Sequence, residues 1–163
     1  MPGSTAVEGI NNSGTVTGYY YDFNGAHGFT ENGDIFQYLN DPAASPGSTV
    51  AVGINNDGTV TGFYNDNSSG YFGFVKTSSG FTGIVEPNAV PGGTVGLGVN
   101  NVGAMTGYYT DATGEHGFVA SPVATPNPPR SHCAVLRFSQ SPSFAGAGVG
   151  PGYASGIFSL PLT

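Results

Sequence analysis

Charged side chains are scarce in this sequence of 163 residues, with 3 basic and 10 acidic residues giving a net charge of −7, and tryptophan is absent. With so few cations and no basic cluster, the chain lacks what neutralises phosphates, so nucleic acid is excluded as a partner, and an anionic membrane surface likewise. A single cysteine, Cys133, rules out an intrachain disulfide and a cysteine metal cluster. No run approaches the ~18 consecutive apolar residues of a membrane-spanning helix, and no basic segment followed by an apolar one opens the sequence. No stretch of the repeats carries helical periodicity.

What is abundant is glycine, with 28 residues, and the aromatic pair Tyr and Phe, with 20 between them. Aromatic and β-branched residues suit strands, and Gly and Asn suit tight turns, so the composition is that of a β protein. The charge is unevenly spread. Residues 1–120 hold every acid and Lys76 and carry −9, whereas the remainder carries only Arg130 and Arg137.

An internal period sets the organisation. Pro2-Gly3-Ser4-Thr5 returns as Pro46-Gly47-Ser48-Thr49 and Pro91-Gly92-Gly93-Thr94, at spacings of 44 and 45 residues. Gly9-Ile10-Asn11-Asn12, Gly53-Ile54-Asn55-Asn56 and Gly98-Val99-Asn100-Asn101 follow in register. The one extra residue falls in a turn, Asn67-Ser68-Ser69-Gly70, where insertions are tolerated. Within the second copy, Val50, Val52 and Ile54 alternate with small residues as a strand with one buried face. Asn56-Asp57-Gly58 closes a hairpin. Thr59 to Tyr64, Tyr71 to Val75 and Phe81 to Val85 supply three more strands, and in the first copy the fourth is Ile35 to Leu39.

The predicted fold is therefore all-β, with three tandem four-stranded antiparallel repeats of about 45 residues resembling propeller blades; a β-trefoil is the alternative. Residues 1–121 form the repeat domain (1–45, 46–90 and 91–121), 122–132 a Pro-rich linker, and 133–163 a tail. The third copy breaks off after Phe118, with Ser121-Pro122 in place of a fourth strand. The tail segment 133–138, with Cys133, Val135, Leu136 and Phe138, is the candidate replacement, pairing in its own chain or in a neighbour and so linking protomers.

The string G-I-N-N-x-G-x-V-T-G-Y-Y, followed by an Asp turn and H-G-F, as in Gly9 to Phe29 and with small changes in Gly98 to Phe118, resembles the HAF repeats of bacterial extracellular repeat proteins. The resemblance covers about three quarters of the chain. It implies a propeller-like repeat, a secreted or cell-surface location and no defining enzymatic activity. The second copy departs from it, with Tyr71-Phe72-Gly73-Phe74 in place of His-Gly-Phe.

Candidate chemistry sits at matching places in the copies. His27 and His116 each follow a matching Asp, Asp22 or Asp111, by five residues, and Asp66 occupies the same turn in the second copy. Carboxylate and imidazole together suit acid–base work or metal binding. A feature copied in each repeat reads first as a fold element, so these Asp side chains are expected to cap their turns, and a hydrolase built on them carries low weight. No cofactor is expected. Calcium is the alternative, because Asp22-Phe23-Asn24-Gly25 gathers oxygen ligands, but the spacing does not make an EF-hand loop. Of the series Tyr19-Tyr20-Tyr21, Phe63-Tyr64 and Tyr108-Tyr109, alternation turns one ring of each pair outward, and Tyr20, Tyr64 and Tyr109 are candidates for stacking on a surface glycan or a protein. Open sheet edges at the ends of an unclosed array lead to the main expectation, a non-enzymatic protein that self-associates into an oligomer or filament.

Overall fold

The computed structural model describes residues 3–122, 135–140 and 157–159. Every regular element among them is a strand. The first sheet is the meander β1 (Thr5–Ile10), β2 (Val16–Asp22), β3 (Gly25–Asn32) and β4 (Ile35–Leu39). The second repeats it with β5 (Thr49–Ile54), β6 (Val60–Asn65), β7 (Tyr71–Thr77) and β8 (Gly80–Ile84). In the third, β9 (Thr94–Val99), β10 (Met105–Asp111) and β11 (Gly114–Pro122) are followed across the sheet by β12 (Val135–Gln140) and β13 (Ile157–Ser159). Within each sheet every strand pairing is antiparallel, and the sheets are not closed on themselves.

Each first hairpin is built in the same way. Asn11, Asn55 and Asn100 directly follow their strands and accept, through Oδ1, backbone N–H groups two and four residues on. Gly14, Gly58 and Gly103 complete these turns with φ between 75° and 80°. A bulge follows in each first strand, at Glu8, Val52 and Leu97, where the register to the second strand shifts by one.

Two corrections concern the third sheet. β11 runs on through Ser121 and Pro122 rather than ending after Phe118, and its added length pairs with β12 in the same chain. β12 spans Val135–Gln140, so it runs two residues past Phe138, where the sequence suggests it ends, and Cys133 lies outside the described residues. Its register sets Phe138 opposite Ala120, the position that Phe36 holds opposite Glu31 and Phe81 opposite Lys76. The tail thus takes the fourth-strand place in its own sheet. The linker 123–132 lies outside the described residues.

The sheets pack face to face in chain order: β5 lies against β1, β2 and β3, and β9 against β5, β6 and β7. The core is therefore between sheets. Leu39 of the first sheet joins Ala51, Ile54, Val60, Tyr64 and Phe74 of the second. Ile84 of the second joins Met105, Tyr109, Phe118 and Ala120 of the third. A buried ring of Phe or Tyr size stabilises such a layer by roughly 1.5–3 kcal/mol.

Candidate functional site: the end faces of the array

The G-[IV]-N-N signature is the joint between sheets. Asn11 Nδ2 donates to the Asn55 carbonyl at 3.0 Å, and Asn55 Nδ2 donates to the Asn100 carbonyl at 3.0 Å. The Asn12 N–H donates to Asn56 Oδ1 at 2.9 Å, and the Asn56 N–H donates to Asn101 Oδ1 at 3.0 Å. At the far side of the same joint, Ala26 N–H donates to Gly47 O and Tyr71 N–H to Gly92 O, both at 2.7 Å. The glycine of the signature allows the approach. A Cβ at Gly9 would stand 2.7 Å from the Val52 carbonyl oxygen, and one at Gly53 2.5 Å from that of Leu97.

The joint has direction, because each sheet donates forward and accepts behind. At the two ends of the array the partner is missing among the described residues. Behind the first sheet, Val7 is 59% exposed and Ile10 68%, whereas their counterparts Ala51 and Ile54 are 0% and 8% exposed. Thr5 is exposed as well, while Thr49 and Thr94 are buried and accept the backbone N–H of Asp41 and Glu86 from the loop that leaves the preceding sheet. Phe36 and Tyr38 extend this open face, in ring contact with Tyr20. In front of the third sheet, Thr106 is exposed where Thr17 and Thr61 are fully buried. Asn100 and Asn101 are exposed there too.

The aromatic candidates divide accordingly. Tyr64 and Tyr109 are buried, at 8% and 1% exposure, and offer no free ring face to a ligand. They lie on the face that the preceding sheet covers, a choice that strand alternation alone does not make. Tyr20, with no sheet behind it, is half-buried. The rings that line an open cleft are their neighbours. Tyr19, Tyr21, Phe63 and Tyr71, together with Glu8 and Asn65, border a space of about 560 Å³ that reaches Leu97 of the third sheet.

Each His packs against the Tyr of its own sheet at 5.2 Å between ring centroids, His27 stacked on Tyr20 and His116 tilted against Tyr109. Phe72 does the same on Tyr64 at 5.6 Å. What this position requires is a flat ring, and that explains why the second copy dispenses with His. Asp22 lies 3.1 Å from His27 Nε2, and Asp111 the same distance from His116 Nε2.

All three carboxylates cap their turns. Asp22 accepts the Asn24 N–H, Asp66 the Ser68 and Ser69 N–H groups, and Asp111 the Thr113 N–H and hydroxyl. These bonds hold Asp22 and Asp66 below the usual carboxylate range and bring Asp111 down to about 2, with the Thr113 hydroxyl as its main cause. Thr113 Oγ1 and Asp111 Oδ1 both meet Nε2 of His116, so the ring does not stand between hydroxyl and carboxylate as a proton relay requires. No group of three or more His, Cys, Asp or Glu positioned for a metal occurs among the described residues.

The joint itself was not singled out from the sequence as a contact surface. The signal available was an Asn pair, Asn11-Asn12, returning unchanged as Asn55-Asn56 and Asn100-Asn101, since one Asn suffices to cap a turn and the second needs another reason. Compared with family models, curated proteins and solved structures, the chain finds no match.

Proposed function

We propose that this chain is a non-enzymatic extracellular repeat protein of the HAF type, whose blade-like sheets form an open array that self-associates. The observation that carries the reading is the exposure of Val7 and Ile10 on the outer face of the first sheet, against the burial of Ala51 and Ile54 at the same places in the second. An apolar face that the fold covers wherever it has a neighbour gains the same burial from a neighbouring molecule. The capping roles of Asp22, Asp66 and Asp111, and the exchange of His for Phe72, support a structural rather than catalytic use of those positions. Light scattering over a dilution series tests the reading: the mass should rise with concentration above that of one chain. A single-chain mass throughout overturns it.

A second reading, a carbohydrate-binding module, is favoured by the cleft of about 560 Å³ lined by Tyr19, Tyr21, Phe63 and Tyr71 with polar Glu8 and Asn65. Rings flanked by hydrogen-bonding groups suit sugar stacking. A glycan array with signal lost in Tyr21→Ala supports it, and an array without signal disposes of it.

A further inference from the structure

Self-association alone does not fix which surfaces meet or in what order. Resting on that reading, we infer that association is head to tail: the front of the third sheet of one copy docks on the back of the first sheet of the next, continuing the asparagine ladder. The occupant of each end face is thus a second copy of this chain.

The two joints already present show the pattern that such a contact would continue. Both use the same donors in front and the same acceptors behind, at spacings of 44 and 45 residues. The front of the third sheet carries the next donors in the series, Asn100 Nδ2 and the Asn101 N–H. The back of the first sheet carries the acceptors that would receive them, the Asn11 carbonyl and Asn12 Oδ1. Close approach is also provided for. A Cβ at Gly98 would meet only its own sheet's Thr106 Oγ1, whereas Gly9 and Gly53 are capped by the sheet ahead. Val7 and Ile10 supply the apolar surface to be covered.

Such a contact joins two different surfaces, so it is heterologous. It closes into a ring where the rotation per sheet divides the circle and runs on as a filament otherwise. The tail is not needed as a link, since β12 pairs with β11 of its own chain. An isologous contact, in which two copies of one edge pair, has no counterpart in the internal joints.

Two blocked variants test the inference. Val7→Lys with Ile10→Lys closes the back, and Thr106→Lys closes the front; all three positions are exposed in the single chain. At concentrations where the wild-type chain associates, each variant alone should remain monomeric. A one-to-one mixture should give a dimer and nothing larger, because only one open front and one open back remain. Wild-type association that persists unchanged in both variants, or a mixture that yields no dimer, overturns the inference and leaves self-association standing. A wild-type chain that stays monomeric overturns the underlying reading instead. Asn100→Asp provides a milder front variant. It keeps the Oδ1 that caps the turn but sets a carboxylate against the Asn11 carbonyl of the next copy, and should weaken association about tenfold. Unchanged association in that variant, with the β spectrum retained, counts against the ladder.

Discussion

Replacing Asn55 by alanine separates two jobs that its amide performs. Oδ1 accepts the Asp57 N–H at 3.0 Å and the Thr59 N–H at 2.9 Å, and Nδ2 donates to the Asn100 carbonyl at 3.0 Å. The side chain is buried at 4% exposure. At about 1 kcal/mol for each net hydrogen bond, the substitution should cost about 3 kcal/mol. Asn11→Ala loses the same two turn bonds and one ladder bond, together with the bond that the Ser13 hydroxyl donates to Oδ1, and should cost at least as much. Asn100→Ala loses only the two turn bonds within its own chain and should cost about 2 kcal/mol. The difference of about 1 kcal/mol isolates the joint between sheets from the turn. Urea unfolding of the three variants, at a dilution where the chain is monomeric, measures it. Equal costs at Asn55 and Asn100 would refute the claim that the ladder holds sheet to sheet.

Other expectations follow from the same geometry. Gly47 has a φ of 68° and its added Cβ would collide with the Asn24 carbonyl, so Gly47→Ala should cost at least about 3 kcal/mol in thermal or urea unfolding, whereas Gly33→Ala, at φ 59° in open space, should cost about 1 kcal/mol. Burial raises the carboxyl of Asp41 above its ordinary range, so its contribution to stability is present below the unfolded-state pKa and lost as pH rises through the folded one. Asp41→Asn keeps an acceptor for the Ala43 N–H; in unfolding curves its advantage over the wild type should appear as pH rises above 3.8 and vanish below. The lowered carboxyls of Asp22, Asp66 and Asp111 act oppositely, losing stability as pH falls below 3.8, for Asp111 toward about 2. His27→Phe, copying Phe72, should stay within about 1.5 kcal/mol of the wild type by thermal melting, since the ring contact with Tyr20 is retained.

The strands were legible because each copy announces its hairpins with Asn and Gly and alternates between them; Ile35–Leu39 and the first hairpin of the second sheet follow this pattern directly. The joint was not, because a turn-capping Asn and one that also reaches the next sheet look alike in a single copy. The fate of the aromatic pairs was only half legible. Alternation separates Phe63 from Tyr64, but which ring is buried depends on the sheet that covers each face, and that partner lies 44 or 45 residues away. The tail strand was legible as an apolar run, but its register was not: the match of Phe138 to Phe36 and Phe81 emerges only once β11 is seen to continue through Pro122.

Amide hydrogen exchange at Asn101, followed by nuclear magnetic resonance across a concentration series, tests the central claim most directly. In the single chain the Asn12 and Asn56 N–H groups are bonded to the sheet ahead, while Asn101 is exposed at the front of the array. Head-to-tail association predicts that the Asn101 amide becomes protected as concentration rises, with Asn12 and Asn56 protected throughout. A rise in mass with no change at Asn101 would contradict it.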